Sequence, residues 1–275
     1  PAITAQPVAQ IICAGSNTSF TIASATATAF QWQVSTNGGA NYTNVSNGGV
    51  YSGATTATLT ITGATSTLNT YLYRCVASVT CGSTNSNGAL LTVNTAPLIT
   101  INPIDVTTCA GNTVNFTTTA TGTSLTHQWQ LSTDGGANYS NLANAAPYSG
   151  VTTATLNVSP VTFAMNNYRY RCLLSNSTCT TPGISNGAIL TVNTLPLVTG
   201  SPTNLTSCLG STVNFSAAGT GTALAYQWQV STDGGANYNN LSNGAPYSGV
   251  NTATLTITSI TAVMNNYRYR CVLSG

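Results

Sequence analysis

The chain has 275 residues and a formal net charge of +2, and charged side chains occupy only 3% of its positions. An ordinary soluble domain has roughly 25%. There is no Lys and no Glu, so the charges are five Arg and three Asp. Nucleic-acid binding requires a dense field of Lys and Arg, which this composition excludes. Hydrophobic residues reach 42%, so packed cores are possible and the low charge does not indicate disorder. No apolar run reaches the roughly 18 residues of a membrane-spanning helix, and we expect no membrane span in this segment.

Strand patterns follow one another along the chain. In the first hundred residues, "TSFTIAS", "FQWQVS", "ATLTIT", "YLYRCVAS" and "ALLTV" alternate apolar and polar side chains with period two, as half-buried strands do. After the second of these, "NGGANY" supplies residues that tolerate the positive φ of a hairpin turn. No helical pattern is present. The chain is therefore predicted to be all-β.

One long segment of the sequence occurs three times, at residues 31–62, 128–159 and 227–258. Trp32, Trp129 and Trp228 are separated by 97 and 99 residues, and Cys75, Cys172 and Cys271 keep the same spacings. A strand ends before a Pro in "VNTAPL" and again in "VNTLPL". We predict three repeats, at residues 1–94, 95–193 and 194–275. The third stops before its last strand, as expected of a window cut from a longer protein, and the linkers are very short.

A Trp early in one strand and a Tyr-x-Cys about 43 residues later resemble the immunoglobulin pattern. More narrowly, "CAGS", "QWQ", "STDGGANY", "YSG", "TATLTI", "YRYRC" and "SNGA" resemble the tandem immunoglobulin-like repeats of large secreted and cell-surface proteins of Bacteroidota. The resemblance implies tandem Greek-key β-sandwiches of about seven strands, outside the cell or on its surface. It also implies a core around Trp32, Trp129 and Trp228, with Tyr73, Tyr170 and Tyr269 at the family's tyrosine corner.

Eight Cys without zinc-type pairs predict disulfides made in an oxidising compartment. They are Cys13, Cys75, Cys81, Cys109, Cys172, Cys179, Cys208 and Cys271. The position of the family's first Cys holds Ile22, Thr118 and Ala217 instead, so the usual bond between the two sheets cannot be assumed.

The spacing of Cys13 leaves several pairings open. Cys13 is expected near the C-terminal pole of its repeat. Cys81 lies about six residues beyond Cys75, which is roughly 20 Å further toward the other pole, so a disulfide between Cys13 and Cys81 is not expected. Cys13 could bond Cys75 if the first strand is shifted, or it could bond Cys179 of the following repeat. Bonds between chains are a third alternative. The bond to Cys179 would leave Cys81 and Cys109 for neighbouring repeats.

No catalytic group, metal site or cofactor is predicted. His127, the only His, occupies a position held by Phe30 and Tyr226 in the other repeats, which indicates packing. Asp134 and Asp233 could contribute to a weak Ca²⁺ loop, but Asn37 replaces them in the first repeat, and we interpret them as turn residues.

Arg side chains gather on one predicted strand of each repeat. The neighbouring strand presents Gln to the same outer face, and we call this surface the Arg–Gln strip. Its members are Arg74, Arg169, Arg171, Arg268, Arg270, Gln128, Gln130, Gln227 and Gln229. The strip could bind a glycan or a protein partner, or it could be ordinary cross-strand pairing.

Two functions follow as hypotheses. The first is a structural repeat unit of an extracellular filament, stalk or giant surface adhesin, stiffened by disulfides and associating with copies of itself or a host surface. The alternative is a spacer or carbohydrate-binding module of a secreted hydrolase. An enzyme in its own right is not predicted.

Overall fold

A computed structural model describes residues 1–275 and shows an all-β chain of tandem immunoglobulin-like β-sandwiches. The only helical segments are three single turns of 3-10 helix, Ser66–Leu68, Phe163–Met165 and Ala262–Met264. None of these turns has the length or apolar character of a membrane-crossing helix. Two compact units are present. The first comprises residues 1–104, 115–157 and 169–188, and the second comprises residues 105–114, 158–168 and 189–275.

Nine strands form the first repeat, which lies within the first unit. They are β1 (Gln10–Cys13), β2 (Thr18–Thr21), β3 (Ala29–Ser35), β4 (Thr43–Asn44), β5 (Tyr51–Ser52), β6 (Thr58–Ile61), β7 (Leu72–Val79), β8 (Gly82–Asn85) and β9 (Ala89–Asn94). One sheet has the order β1-β9-β7-β3-β4, with β8 also on β7, and the other has the order β2-β6-β5.

The core of this repeat forms where the two sheets face each other. Along β7, Tyr73, Cys75 and Ala77 are buried while the residues between them are partly exposed, as the period of a strand requires. Trp32 is fully buried and its indole N–H donates to the Thr56 carbonyl at 2.9 Å, so its one polar atom is satisfied. Ile22, in the place of the family's first Cys, is buried in the same cluster.

The tyrosine corner differs from what the resemblance implies. The family's tyrosine donates to a nearby backbone group, but the hydroxyl of Tyr73 lies 3.0 Å from the hydroxyl of Tyr51 on β5. The third repeat makes the same contact between Tyr247 and Tyr269, at 3.4 Å. The tyrosine of the "YSG" motif, Tyr51 or Tyr247, supplies this partner, and the pair recurs because the motif does.

The first strand of the repeat positions Cys13. β1 runs parallel to β9, with Gln10 opposite Leu91 and Cys13 opposite Asn94. Cys13 therefore lies at the pole where the first repeat ends and the second begins.

Eleven strands form the second repeat. They are β10 (Leu98–Ile101), β11 (Val106–Cys109), β12 (Val114–Thr117), β13 (Thr119–Thr121), β14 (Thr126–Ser132), β15 (Ser140–Asn141), β16 (Tyr148–Ser149), β17 (Thr155–Val158), β18 (Arg169–Ser175), β19 (Gly183–Ile184) and β20 (Ala188–Asn193). In the first unit, β14 pairs with β15 and β18, and β18 pairs with β19. In the second unit, β11 runs parallel to β20 and places Cys109 opposite Asn193.

Eight strands of the third repeat lie in the second unit. They are β21 (Leu197–Gly200), β22 (Val213–Ser216), β23 (Ala218–Thr220), β24 (Ala225–Ser231), β25 (Asn239–Asn240), β26 (Tyr247–Ser248), β27 (Thr254–Ile257) and β28 (Arg268–Ser274). One sheet of this repeat has the order β25-β24-β28, and the other has the order β22-β27-β26. Residues 205–208 correspond in sequence to β1 and β11 and form no strand.

Candidate functional site

A disulfide joins Cys13 to Cys179, with 5.1 Å between their Cα atoms and a sequence separation of 166. Cys13 ends β1 of the first repeat, and Cys179 lies in the loop after β18 of the second repeat. Of the pairings that the sequence left open, this is the one between successive repeats. The alternative bond from Cys13 to Cys75 is not formed, and Cys75 is a free, buried thiol. We call the Cys13–Cys179 bond the staple.

Hydrogen bonds surround the staple. The Asn94 side chain donates to the Thr178 hydroxyl at 2.7 Å, and the Cys179 sulfur lies 3.6 Å from the Asn94 carbonyl. The linker residue Thr95 donates its backbone N–H to the Thr123 hydroxyl at 3.0 Å and accepts from the Thr123 N–H at 3.2 Å. The last strand of one repeat is thus bonded to two loops of the next.

The next linker repeats the threonine contact. Within the second unit, the Thr194 N–H donates to the Thr222 hydroxyl at 2.9 Å, and the Thr222 N–H donates to the Thr194 carbonyl at 3.2 Å. Both linkers in this chain are therefore held by the same pair of side chains. Sequence analysis missed this pair, although "NT" in both linkers and "TGT" some 28 residues later were visible signals.

The remaining six cysteines are free. Cys75 and Cys172 are fully buried, and burial raises the pKa of each thiol to about 11. A buried thiol with such a pKa is a small apolar side chain and not a nucleophile at neutral pH. Cys81 and Cys208 are exposed, so any disulfide chemistry beyond the staple would involve the thiols outside the cores.

The Asp-containing hairpins are closed by the carboxylate itself. Asp134 accepts from the Asn138 backbone N–H at 2.9 Å and from the Ser132 hydroxyl at 2.7 Å, and these bonds hold its pKa well below the usual range. Asn37 makes the corresponding bonds with Ser35 and Asn41. A neutral amide performs the same task, so the hairpin does not need the charge. No three His, Cys, Asp or Glu side chains lie together as they would around a metal ion.

The Arg–Gln strip forms one network that recurs in every repeat. In the first repeat, the Arg74 guanidinium lies 3.9 Å from the centre of the Tyr42 ring and donates to the Gln33 side chain at 2.9 Å. Gln33 donates in turn to Asn44 at 2.9 Å. Corresponding contacts join Arg171, Tyr139, Gln130 and Asn141, and also Arg270, Tyr238, Gln229 and Asn240.

Two groups of the predicted strip lie outside this network. Gln128 donates to the Trp129 and Leu142 carbonyls, and Gln227 donates to the Trp228 and Leu241 carbonyls, so both fasten the next loop to the sheet. Arg169 and Arg268 lie beside the glycines of the "DGGANY" hairpins.

His127, the only His, is half-buried on β14, opposite Leu174.

The comparisons with known proteins concern the first repeat and the fold. Residues 3–95 match the model of a family described as "Domain of unknown function (DUF8696)". No match to a curated protein was found. Three immunoglobulin domains of titin, the I-band fragment I67–I69, are similar to the chain with a TM-score of 0.73 and 17% identity, over 100% of this chain and 93% of that one.

Two further solved structures have a weaker likeness. Immunoglobulin domains 1–4 of Sidekick-1 give a TM-score of 0.51 at 17% identity, over 98% of this chain and 70% of that one. A complex of Dpr2 Ig1–Ig2 with DIP-Theta Ig1–Ig3 gives 0.51 at 14% identity, over 100% and 94%. These likenesses show that the chain has the tandem immunoglobulin-like fold, and they do not bear on an origin in Bacteroidota.

Proposed function

We propose that this chain is a structural, non-catalytic segment of an extracellular stalk, filament or surface adhesin whose successive repeats are held in fixed orientation. The staple between Cys13 and Cys179 is the observation that carries this proposal. A disulfide inside one sandwich would stabilise that sandwich alone. A disulfide between the end of one repeat and a loop of the next restrains the angle between them.

The same bond also supports an extracellular compartment. Disulfides persist outside the cell and are reduced in most cytosols, so a structural disulfide supports an extracellular location. The resemblance to secreted repeats agrees with it. The parallel register of β11 and β20 places Cys109 at the end of the second repeat as β1 and β9 place Cys13 at the end of the first, so the staple is suited to repetition along a longer array.

The surface favours association with copies of the same chain. With three carboxylates in 275 residues, two such surfaces repel each other weakly. Sheet edges such as β4 in the first repeat offer backbone groups to a neighbour. A carbohydrate-binding role has less support, because the Arg74 Nε–H donates to Gln33, Gln33 donates to Asn44 and the Arg74 guanidinium lies over the Tyr42 ring, all within one repeat.

Electron microscopy of single molecules tests the proposal by comparing the oxidised chain with Cys13→Ser. Cys109→Ser is the matched control, since it changes the same strand position in the second repeat without removing the staple. We expect Cys13→Ser to broaden the distribution of angles between the first two repeats, and Cys109→Ser to leave it unchanged. Identical distributions for all three proteins would refute the proposed restraint. Flexible, isolated molecules at every concentration would refute the filament.

A further inference from the structure

Five Asn-Gly pairs occur in this chain, and they begin at residues 37, 47, 87, 186 and 243. An asparagine that precedes a glycine can react with its own backbone, because the glycine N–H has no side chain beside it to hinder its approach to the amide carbon. The product is a five-membered succinimide ring, which water then opens to an acid. The hydrogen bonds around each pair decide which of the five can react.

The first pair, Asn37-Gly38, lies in the hairpin that joins β3 to β4. The Asn37 side-chain oxygen accepts from the Ser35 hydroxyl at 2.9 Å and from the Asn41 backbone N–H at 2.9 Å. Ser35 is 1% exposed, and its hydroxyl accepts from the Gly39 N–H at 2.9 Å, so this donor is held in place. Two donors therefore point at the oxygen that becomes negative when a nucleophile adds to the amide carbon, as in an oxyanion hole.

The nucleophile and the leaving group of this pair are both unhindered. The Gly38 N–H and the Asn37 side-chain NH₂ make no hydrogen bond. A Cβ built on Gly38 would have no neighbour within 4 Å, and both residues are exposed. Water can therefore reach the amide carbon, and ammonia can leave from it.

The other four pairs each lack one of these features. Gly48 and Gly244 donate their N–H groups to backbone carbonyls at 2.9 Å, so the nucleophile is already occupied. The side-chain oxygens of Asn87 and Asn186 accept no hydrogen bond, so no donor polarises the amide. These four pairs are matched controls within the same molecule.

We propose that Asn37 is a self-processing site, at which the hairpin converts its own asparagine to aspartate. The Gly38 nitrogen bonds to the Asn37 side-chain carbon, and the side-chain nitrogen leaves as ammonia with the proton of the Gly38 N–H. Water then adds to the same carbon and breaks its bond to Gly38, which restores the backbone N–H and leaves a carboxylate in place of the amide. One water is consumed and one ammonia is released. The conversion depends neither on the staple nor on filament formation.

The same two donors determine where the ring opens. A succinimide has two carbonyl groups, and water that attacks the backbone carbonyl gives isoaspartate, with an extra carbon atom in the main chain. The Ser35 hydroxyl and the Asn41 N–H point at the side-chain carbonyl oxygen. Attack at the side-chain carbon is therefore favoured, and it yields aspartate with a normal backbone.

The second and third repeats show that the product fits this hairpin. Asp134 and Asp233 hold the position of Asn37 and accept the same two bonds, at 2.7 and 2.9 Å. The second oxygen of each carboxylate also accepts from the Asn138 or Asn237 side chain at 2.7 Å, which the NH₂ group of an amide cannot do. Hydrogen bonds, first of all from the Asn138 and Asn237 backbones, hold the pKa of both carboxyls well below the usual range. The position therefore favours a carboxylate.

The first experiment follows the conversion of all five pairs by peptide mapping and mass spectrometry, while the purified chain is incubated at neutral pH. We expect conversion at Asn37 to be at least about tenfold faster than at any other pair, because one hydrogen bond to the developing oxyanion corresponds to about tenfold in rate. The formal net charge of +2 should fall by one, which isoelectric focusing detects. Equal rates at the five pairs would overturn the proposal.

The second experiment compares the products with those of the peptide QVSTNGGANY, residues 33–42, which has the same pair without the fold. Chromatography separates the aspartate and isoaspartate products. We expect aspartate to predominate in the chain and to form a smaller share of the products in the peptide. The same ratio in both would show that the hairpin does not direct the reaction, and would overturn the proposal.

The third experiment moves the reaction to the second repeat. Asp134→Asn creates the same pair beside Ser132 and the Asn138 N–H, and we expect it to return to aspartate at a rate similar to that of Asn37. Asp134→Gln is the control and should not convert, because its longer side chain places the amide carbon elsewhere. Ser35→Ala should slow conversion at Asn37 about tenfold, because one donor is lost. If Ser35→Ala fails to fold, Asp134→Asn still decides, since its persistence as asparagine would overturn the proposal.

Discussion

Removal of the staple by Cys13→Ser is the most informative single perturbation of this chain. The closed loop spans 166 residues, and loop-closure entropy for such a length corresponds to about 5 kcal/mol of stabilisation at 25 °C. The peptide linker already tethers the two repeats. When the first repeat alone unfolds, the loop that the staple closes runs from Cys13 to the linker near Thr95, which corresponds to about 4.5 kcal/mol. Measured disulfides typically deliver about 2–4 kcal/mol.

Differential scanning calorimetry of the oxidised chain checks this expectation. For a domain of this size, 1 kcal/mol shifts the midpoint by about 4–8 °C, so we expect the first-repeat transition to fall by at least about 10 °C. The third repeat carries no part of the staple and should not move. Cys109→Ser is the control for the effect of Ser itself, because it places Ser at the end of β11, the strand that corresponds to β1.

The reasoning would be refuted by a first-repeat transition that stays within about 2 °C of the wild type while mapping confirms the disulfide in the wild type. An equal fall for the third repeat would also refute it, because the effect would then come from a change common to the chain. Reduction of the wild type should reproduce the Cys13→Ser midpoint.

Three further outcomes are expected. Hydrogen bonds from the Asn138 backbone, Ser132 and the Asn138 side chain hold the pKa of Asp134 low, so the stability that the ionised Asp134 contributes is complete above about pH 4 and is lost as the pH falls through the folded pKa. In a series of melting temperatures against pH, Asp134→Asn should flatten this acid decline, and an unchanged decline would contradict the assignment. Brief alkylation of the native chain should modify Cys81 and Cys208, which are exposed, and spare buried Cys75, whose pKa is raised to about 11; mass spectrometry showing equal labelling would contradict this. Trp129→Phe removes the indole bond to the Thr153 carbonyl at 2.9 Å and part of the core volume, and it should cost about 1–3 kcal/mol in denaturant unfolding; no loss would show that the site repacks.

Local periodicity was sufficient to predict most of the fold. The alternation of "YLYRCVAS" correctly places Tyr73 inside and Arg74 outside, because side-chain direction in a strand depends only on position along it. The segment at residues 205–208 is different. Its counterparts form strands by parallel pairing with β9 and β20, and pairing with a distant segment of the chain cannot be read from local periodicity.

The sequence reduced the number of possible partners for Cys13 but did not decide between them. Distance along the strands excluded a bond between Cys13 and Cys81, and the choice between Cys75 and Cys179 depended on where β1 ends relative to the next repeat. That position is set by the parallel register with β9, a non-local feature. The Arg–Gln strip shows a similar limit. Alternation puts Gln128 and Gln130 on one face, but only the structure shows that Gln128 binds backbone carbonyls while Gln130 binds Arg171.

The one disulfide of this chain lies outside the cores of the sandwiches. Cys75 lies fully buried against a core that contains Ile22, and the sandwich closes there by apolar packing, with the Trp32 indole satisfied by a backbone carbonyl. A bond between the sheets would add little to a core that is already filled. The contacts at the linker include the hydrogen bonds of Thr95 with Thr123, and a typical intramolecular hydrogen bond contributes about 1 kcal/mol. The disulfide therefore lies between successive repeats and outside their filled cores.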